Sequence, residues 1–74
     1  MEEKYAVIAN VNGAFLVNSE SGSKESGAVN FSQYTAALWN DTGAVEAVVK
    51  LVDKNLDVVD GGFVQYISHP AKNA

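Results

Sequence analysis

The chain has 74 residues, of which 47% are hydrophobic, and its nine acidic residues and five lysines give a net charge of −4 at pH 7. It contains neither cysteine nor arginine, which excludes disulfides and thiolate metal sites. The missing arginine and the lack of a basic excess also disfavour direct nucleic-acid binding, because arginine is the side chain that reads guanine and phosphate with paired hydrogen bonds. The length predicts a single small domain over residues 1–74.

Localisation is predicted from the cysteine content and the first residues. A small domain without disulfides is typical of a reducing compartment. The N-terminal sequence MEEKYAVIAN lacks the basic and apolar segments of a signal peptide. No apolar run approaches the roughly 20 residues that span a membrane. We therefore expect a cytoplasmic protein that does not bind membranes.

Residues 4–18, KYAVIANVNGAFLVN, predict an N-terminal β-hairpin. Asn12-Gly13 tolerates the positive φ angles of a type I′ turn and separates two β-rich runs. The expected register sets Val11 opposite Ala14, Ala9 opposite Leu16 and Val7 opposite Asn18. Both faces of this hairpin are fairly apolar, which favours a position within a larger sheet.

The next stretch, NSESGSKESG at 18–27, contains no apolar residue, and we predict a flexible polar loop. It is not a phosphate-binding loop: Gly22 and Gly27 have the Walker spacing, but Ala28 and Val29 stand where lysine and serine or threonine are needed. Ser21-Gly22-Ser23-Lys24 matches the S-x-x-K nucleophile pattern, which we interpret as coincidence because that chemistry needs a desolvated lysine.

Residues 28–40 are ambiguous. Near-helical spacing links Phe31, Tyr34, Leu38 and Trp39. Aromatic residues and Thr35 also suit a strand, and we predict a short third strand over 35–39.

The clearest periodic pattern predicts a helix over 43–55. Apolar residues fall at i, i+3, i+4, i+7 and i+11, namely Val45, Val48, Val49, Val52 and Leu56. Asn40, Asp41 and Thr42 offer N-caps in front of it. The remaining residues return to β character, with either a second hairpin between Val58-Val59 and Phe63–Ile67 or one strand with a bulge at Gly61-Gly62. After these residues we expect a frayed tail over 69–74.

No residue pattern predicts catalysis, a metal or a cofactor. Asp53-Lys54-Asn55-Leu56-Asp57 begins like a calcium loop, but Val58 and Val64 stand where glycine and glutamate are required. His69 is the only histidine and has no imidazole or thiol companions. An active site would need Asp41, Asp53, Asp57, Asp60 or His69 to converge in the fold.

Most of the aromatic residues are expected in the core, and any exposed one would mark a partner surface. The aromatic anchors considered are Phe31, Tyr34, Trp39 and Phe63.

The chain resembles small phage- and prophage-encoded proteins of unknown function. The resemblance lies in Lys4-Tyr5 followed by Asn12-Gly13, in the pattern A-x-L-W-x-D at 36–41, and in the alanine- and valine-rich segments after it. It covers most of the chain apart from 19–30. It implies an α+β unit of a twisted hairpin, a short strand, one helix and a final strand, and it transfers no functional residue.

Together these patterns predict an α+β fold with a three- to five-stranded, mainly antiparallel sheet, an N-terminal hairpin and one helix over about 43–55 on one face. The predicted function is a non-enzymatic intracellular interaction module that binds a protein partner or itself as a homodimer. Two alternatives stay open: an acidic inhibitor or nucleic-acid mimic that occupies a basic site, and a small enzyme or a subunit of a shared active site.

Overall fold

Four antiparallel strands and one helix make up the fold in a computed structural model that describes residues 4–72. The spatial order of the strands is β2-β1-β3-β4, and each neighbouring pair is antiparallel. The predicted α+β class, with an antiparallel sheet, an N-terminal hairpin and a single helix, is confirmed. The elements are β1 (Tyr5–Val11), β2 (Ala14–Ser21), α1 (Lys24–Trp39), β3 (Val45–Asp53) and β4 (Val64–His69).

The first hairpin forms where the sequence predicts it. Asn12 and Gly13 have φ angles of 52° and 87°, as a turn with two left-handed residues requires. Val11 lies opposite Ala14, and Ala9 opposite Leu16. Beyond these pairs a β-bulge at Asn18 shifts the register, so that Val7 lies opposite Ser19 and not opposite Asn18.

The predicted loop over 18–27 is wrong, because Asn18–Ser21 completes β2 and Lys24 begins α1. Ser23 is the N-cap of the helix, and its side chain accepts a hydrogen bond of 3.1 Å from the backbone N–H of Ser26. The serine-rich composition therefore marks the end of a strand and the cap of a helix. The third strand predicted over 35–39 is also wrong, since those residues are the last turns of α1.

The helix predicted over 43–55 is wrong in position: this segment is β3, and the single helix is α1. β3 lies in the middle of the sheet and pairs with β1 on one side and β4 on the other. Val45, Val49 and Leu51 point to the core, while Val48 lies on the opposite face. A central strand with apolar residues on both faces produces a near-continuous apolar run, which coincides here with helical spacing.

Residues 54–63 form a loop between β3 and β4. The predicted hairpin between Val58-Val59 and Phe63–Ile67 does not form. Val58 makes an isolated antiparallel bridge with Val52, and β4 pairs along its whole length with β3. Of the predicted frayed tail over 69–74, His69 belongs to β4, and the backbone N–H of Lys72 donates a 2.7 Å hydrogen bond to the carbonyl of Thr42. Residues 73 and 74 lie outside the described residues.

The core lies between α1 and one face of the sheet. Leu38 of the helix and side chains from three strands form it, and Phe31 and Phe63 extend it with edge-to-face rings 5.5 Å apart. The buried members are Val7, Ala9, Leu38, Val45, Val49, Leu51 and Ile67.

Candidate functional site

The sheet face turned away from α1 is the most unusual surface of the described chain. Side chains alternate between the two faces of a strand, so the neighbours of the core residues in β1, β2, β3 and β4 point to this side. We call this surface the open face; its members are Ile8, Asn10, Phe15, Val17, Glu46, Val48, Lys50, Val64, Tyr66 and Ser68.

Cross-strand pairing arranges the open face in rows. The first row across the four strands is Val17, Ile8, Lys50 and Val64. The second row is Phe15, Asn10, Val48 and Tyr66. Directly opposed side chains lie about 4.5–5.5 Å apart at Cβ, so each row is a continuous band of neighbouring groups.

Large apolar side chains on this face are open to solvent. Tyr66 is 73% exposed, Phe15 66% and Val17 53%. An antiparallel sheet with one covered face normally carries polar residues on the other face. Contiguous exposed apolar surface on a small protein marks a site of interaction.

The open face is too shallow to enclose a small molecule. Its depression has a volume of about 100 Å³ and is lined by Ile8, Asn10, Phe15, Val48 and Lys50, with Ala9 at its base. Small-molecule sites usually enclose about 300–1,000 Å³. A depression of this size has room for about one protruding side chain.

Three of the four aspartates of the chain come together at one end of the sheet. Asp53, Asp57 and Asp60 line a depression of about 400 Å³ that Tyr5 and Lys24 also line. The Asp53 carboxylate stabilises the loop after β3. Its Oδ1 accepts hydrogen bonds from the backbone N–H groups of Asn55 at 2.8 Å and Asp57 at 3.1 Å. Within residues 4–72, no group of three or more histidines and carboxylates has metal-site geometry.

Asp41 and His69 do not line this depression. The Oδ1 atom of Asp41 accepts a 2.7 Å hydrogen bond from the backbone N–H of Gly43 in the turn after α1. His69 stacks on Trp39 with ring centroids 6.0 Å apart, and its Nε2 lies 2.8 Å from the carbonyl oxygen of Leu38. Of the five residues that an active site would need together, Asp53, Asp57 and Asp60 line one depression. Asp41 and His69 do not line it.

The S-x-x-K segment does not form a serine–lysine pair. The hydroxyl of Ser21 donates to the carbonyl of Ser23 at 3.3 Å. The ammonium of Lys24 lies 6.0 Å from the centroid of the Phe63 ring, where it makes a cation–π contact. The two side chains contact different groups.

The aromatic residues divide between the core and the surface. Phe31, Tyr34 and Phe63 pack against the core, and burial raises the pKa of the Tyr34 hydroxyl above its usual value. Trp39 is 42% exposed beside His69. The most exposed aromatic residues are Phe15 and Tyr66, both on the open face.

Sequence reasoning identified only half of the open face. The hairpin pattern places Ile8, Phe15 and Val17 on one side of β1 and β2. It does not place Val48, because the spacing over 43–55 predicts a helix, and without β3 as a strand Val64 and Tyr66 have no sheet to join on this face. The β-branched composition of 45–52 was the signal that could have revealed them.

No protein-family model matches the chain, and no curated protein or solved structure is significantly similar to it. Within residues 4–72, no helix has the length and hydropathy that crossing a bilayer requires. The resemblance to phage-encoded proteins and the cytoplasmic location stay predictions.

Proposed function

We propose that this protein is a non-enzymatic interaction module that binds a protein partner through the open face. The observation that supports this proposal is the exposure of Phe15 and Tyr66 on the same face of the sheet, in one cross-strand row with Val48. Aromatic residues supply a large share of the binding energy of protein interfaces. On this proposal α1 covers the core side of the sheet and leaves the other side for the partner.

The charge of the open face favours an apolar partner over a strongly basic one. The side of the sheet that carries the open face holds one lysine, Lys50, and two glutamates, Glu46 and Glu20, the latter opposite Ala6, so most of the net charge of −4 is carried by other surfaces. An acidic inhibitor would bind a basic partner less tightly as salt is raised. Binding through the open face is expected to persist in salt, because burial of apolar surface drives it.

The test is site-specific photocrosslinking in cells of the source organism. A benzophenone amino acid replaces Tyr66 on the open face, and a matched variant carries it at Val29, which is 54% exposed on α1. We expect a defined protein adduct from position 66 alone. The captured protein is then purified, and its binding should be lost with Phe15→Glu and retained with Gln33→Glu on the helix.

Equal labelling from positions 66 and 29, or binding that Phe15→Glu leaves unchanged, would contradict the proposal. A captured protein whose binding collapses at high salt would favour the acidic inhibitor instead.

A further inference from the structure

We propose that the occupant of the open face is a second copy of this chain, related by a two-fold axis that crosses β3 near Val48. This inference rests on the proposed function, and it specifies the partner and the orientation of the complex. The order of charges along β3 sets the orientation of the two copies, and the size of the face sets the expected strength of the association.

The open-face residues of β3 follow one another as Glu46, Val48 and Lys50, with an anion and a cation on either side of a valine. Alternate residues of a strand are about 6.8 Å apart. The proposed two-fold axis lies in the plane of the interface and runs perpendicular to the strands at Val48. Rotation about this axis reverses the order of the three residues in the second copy. Lys50 of each copy then lies over Glu46 of the other.

Within residues 4–72, Glu46 and Lys50 of the open face form no salt bridge. Among residues 4–72, no carboxylate forms an ion pair with Lys50, which lies between Ile8 and Val64 in its row. Glu46 accepts a 2.8 Å hydrogen bond from the Ser68 hydroxyl through one oxygen, and this leaves its second oxygen for another donor. Sheets pack about 10 Å apart, and a lysine and a glutamate side chain that extend towards each other can together span such a gap.

The same axis brings like apolar groups together. Phe15, Val48 and Tyr66 share the row on which the axis lies, so each faces its own copy across the interface. An axis parallel to the strands between β1 and β3 would instead bring the two Lys50 ammoniums close together, and like charges facing each other oppose binding. The charges therefore select the axis at Val48.

The size of the face predicts a weak dimer. Four strands at about 4.8 Å spacing and rows at about 6.8 Å give a projected face of roughly 400 Å² per copy. Twice this area lies below the range of stable complexes, about 1,200–2,000 Å². We expect reversible association in the micromolar range, and a monomer at lower concentration.

The experiment is a charge exchange measured by analytical ultracentrifugation from about 1 µM to about 1 mM. Lys50→Glu and Glu46→Lys are each expected to weaken self-association by about tenfold or more, because each sets like charges against each other. The double variant Glu46→Lys/Lys50→Glu should restore it. A mixture of the two single variants should form a heterodimer more readily than either forms a homodimer, since both of its charge pairs are then attractive.

Matched controls carry the same charge changes on the other side of the sheet. Lys24 and Glu25 lie in the first turn of α1. We expect the variants Lys24→Glu and Glu25→Lys to leave self-association unchanged. Formation of the heterodimer also demonstrates that both single variants are folded. The heterodimer is detected by native mass spectrometry of the mixture.

A wild-type chain that stays monomeric at about 1 mM would overturn the self-association. If Tyr66 still captures another protein in cells, the proposed function stands with a different occupant; if it captures none, both proposals fall. Self-association that Phe15→Glu abolishes but the charge exchange does not alter would overturn the axis at Val48.

Discussion

Asn12 joins the turn of the first hairpin to the beginning of β3. Its backbone N–H donates to the carbonyl of Glu46 at 2.8 Å, and its side-chain Oδ1 accepts from the N–H of Glu46 at 2.8 Å. Its Nδ2 donates to the carbonyl of Ala44 at 3.1 Å. Because asparagine also tolerates a positive φ, one residue closes the turn and extends the pairing of β1 with β3.

Replacing Asn12 separates these two roles. Asn12→Gly keeps the left-handed backbone and loses the side-chain bonds, so the free energy of unfolding should fall by about 1–2 kcal/mol. Asn12→Ala should cost roughly 1 kcal/mol more, because alanine is strained at positive φ. Urea denaturation measures both, with Gly13→Ala as the control for backbone strain alone. An Asn12→Gly variant as stable as the wild type would show that the side-chain bonds add no net stability.

Gly27 sets the distance between α1 and the sheet. A Cβ atom at this position would lie 2.9 Å from Cδ1 of Leu51 and 3.1 Å from Oγ of Ser21. Leu51 is fully buried and has little room to move. The glycine therefore reflects a close approach of the helix backbone, although glycine is a poor helix former.

Gly27→Val should lower the free energy of unfolding by about 1–3 kcal/mol through overpacking, despite a gain in helix propensity of roughly 0.5 kcal/mol. The matched control is Ser26→Val, one residue earlier on the exposed side of α1. Thermal unfolding of the two variants checks this. Equal stability of the pair would mean that the helix can move outward at no cost.

At the scale of elements, the chain after β4 is attached to the C-terminal end of α1. The helix has no basic residue in its last turn, but the ammonium of Lys72 donates to the carbonyl of Trp39, and a ring nitrogen of His69 lies beside the carbonyl of Leu38. Carbonyls at a helix end lack intrahelical partners and carry partial negative charge. Groups from 30 or more residues away in sequence fulfil this role here.

Lys72→Met should destabilise the protein by about 0.3–1 kcal/mol, and less in high salt, because it removes a cation from the helix end. Deleting residues 72–74 should cost more, since it also removes the backbone bond to Thr42. Lys4→Met, an exposed lysine before β1, is the control. Chemical denaturation at low and high salt is the measurement, and a loss that is the same for Lys72→Met and Lys4→Met would contradict this role.

The helix and strands differ in how well the sequence predicts them. The hairpin followed from local chemistry, because Asn12-Gly13 admits few other conformations. The sequence predicts a strand over 35–39 and a helix over 43–55, whereas the structure has the helix in the first segment and a strand in the second. Tertiary packing decides between these assignments. β3 carries valine on both faces, Val49 towards the core and Val48 on the open face, and an isolated sequence cannot distinguish this pattern from one side of a helix.

The α1 segment contained its signals, which were weaker than those of β3. Ser23 before Glu25 and the spacing of Gly27, Phe31, Tyr34 and Leu38 describe a capped helix with one buried stripe. Glycine, asparagine and aromatic residues within this segment reduced its apparent helicity. The turn at Asp60-Gly61-Gly62 could be predicted from its residue types. The open face could be predicted only with β3 assigned as a strand.

At the scale of the whole molecule, the two sides of the sheet are apolar for different reasons. The side facing α1 forms the core, and the open face is the proposed binding surface. Leu51→Ala should lower the free energy of unfolding by about 2–5 kcal/mol. Phe15→Thr and Tyr66→Thr should change it by no more than about 0.5 kcal/mol, because both side chains are largely exposed in the monomer.

These measurements are made at low concentration, where the proposed dimer is expected to dissociate. A large loss of monomer stability with Phe15→Thr would mean that the open face contributes to folding. Unchanged monomer stability with loss of self-association would separate the two roles.

The strand order also fixes how the molecule responds to mechanical force. β1 and β4 are parallel and both pair with β3, so Tyr5 and His69 lie at opposite ends of the sheet. Pulling these two residues apart slides β1 and β4 along β3 in opposite directions and loads all of their ladder hydrogen bonds at once. A hairpin pulled at its open end breaks its bonds one after another. The protein should therefore resist tension applied along its chain far better than its modest size suggests.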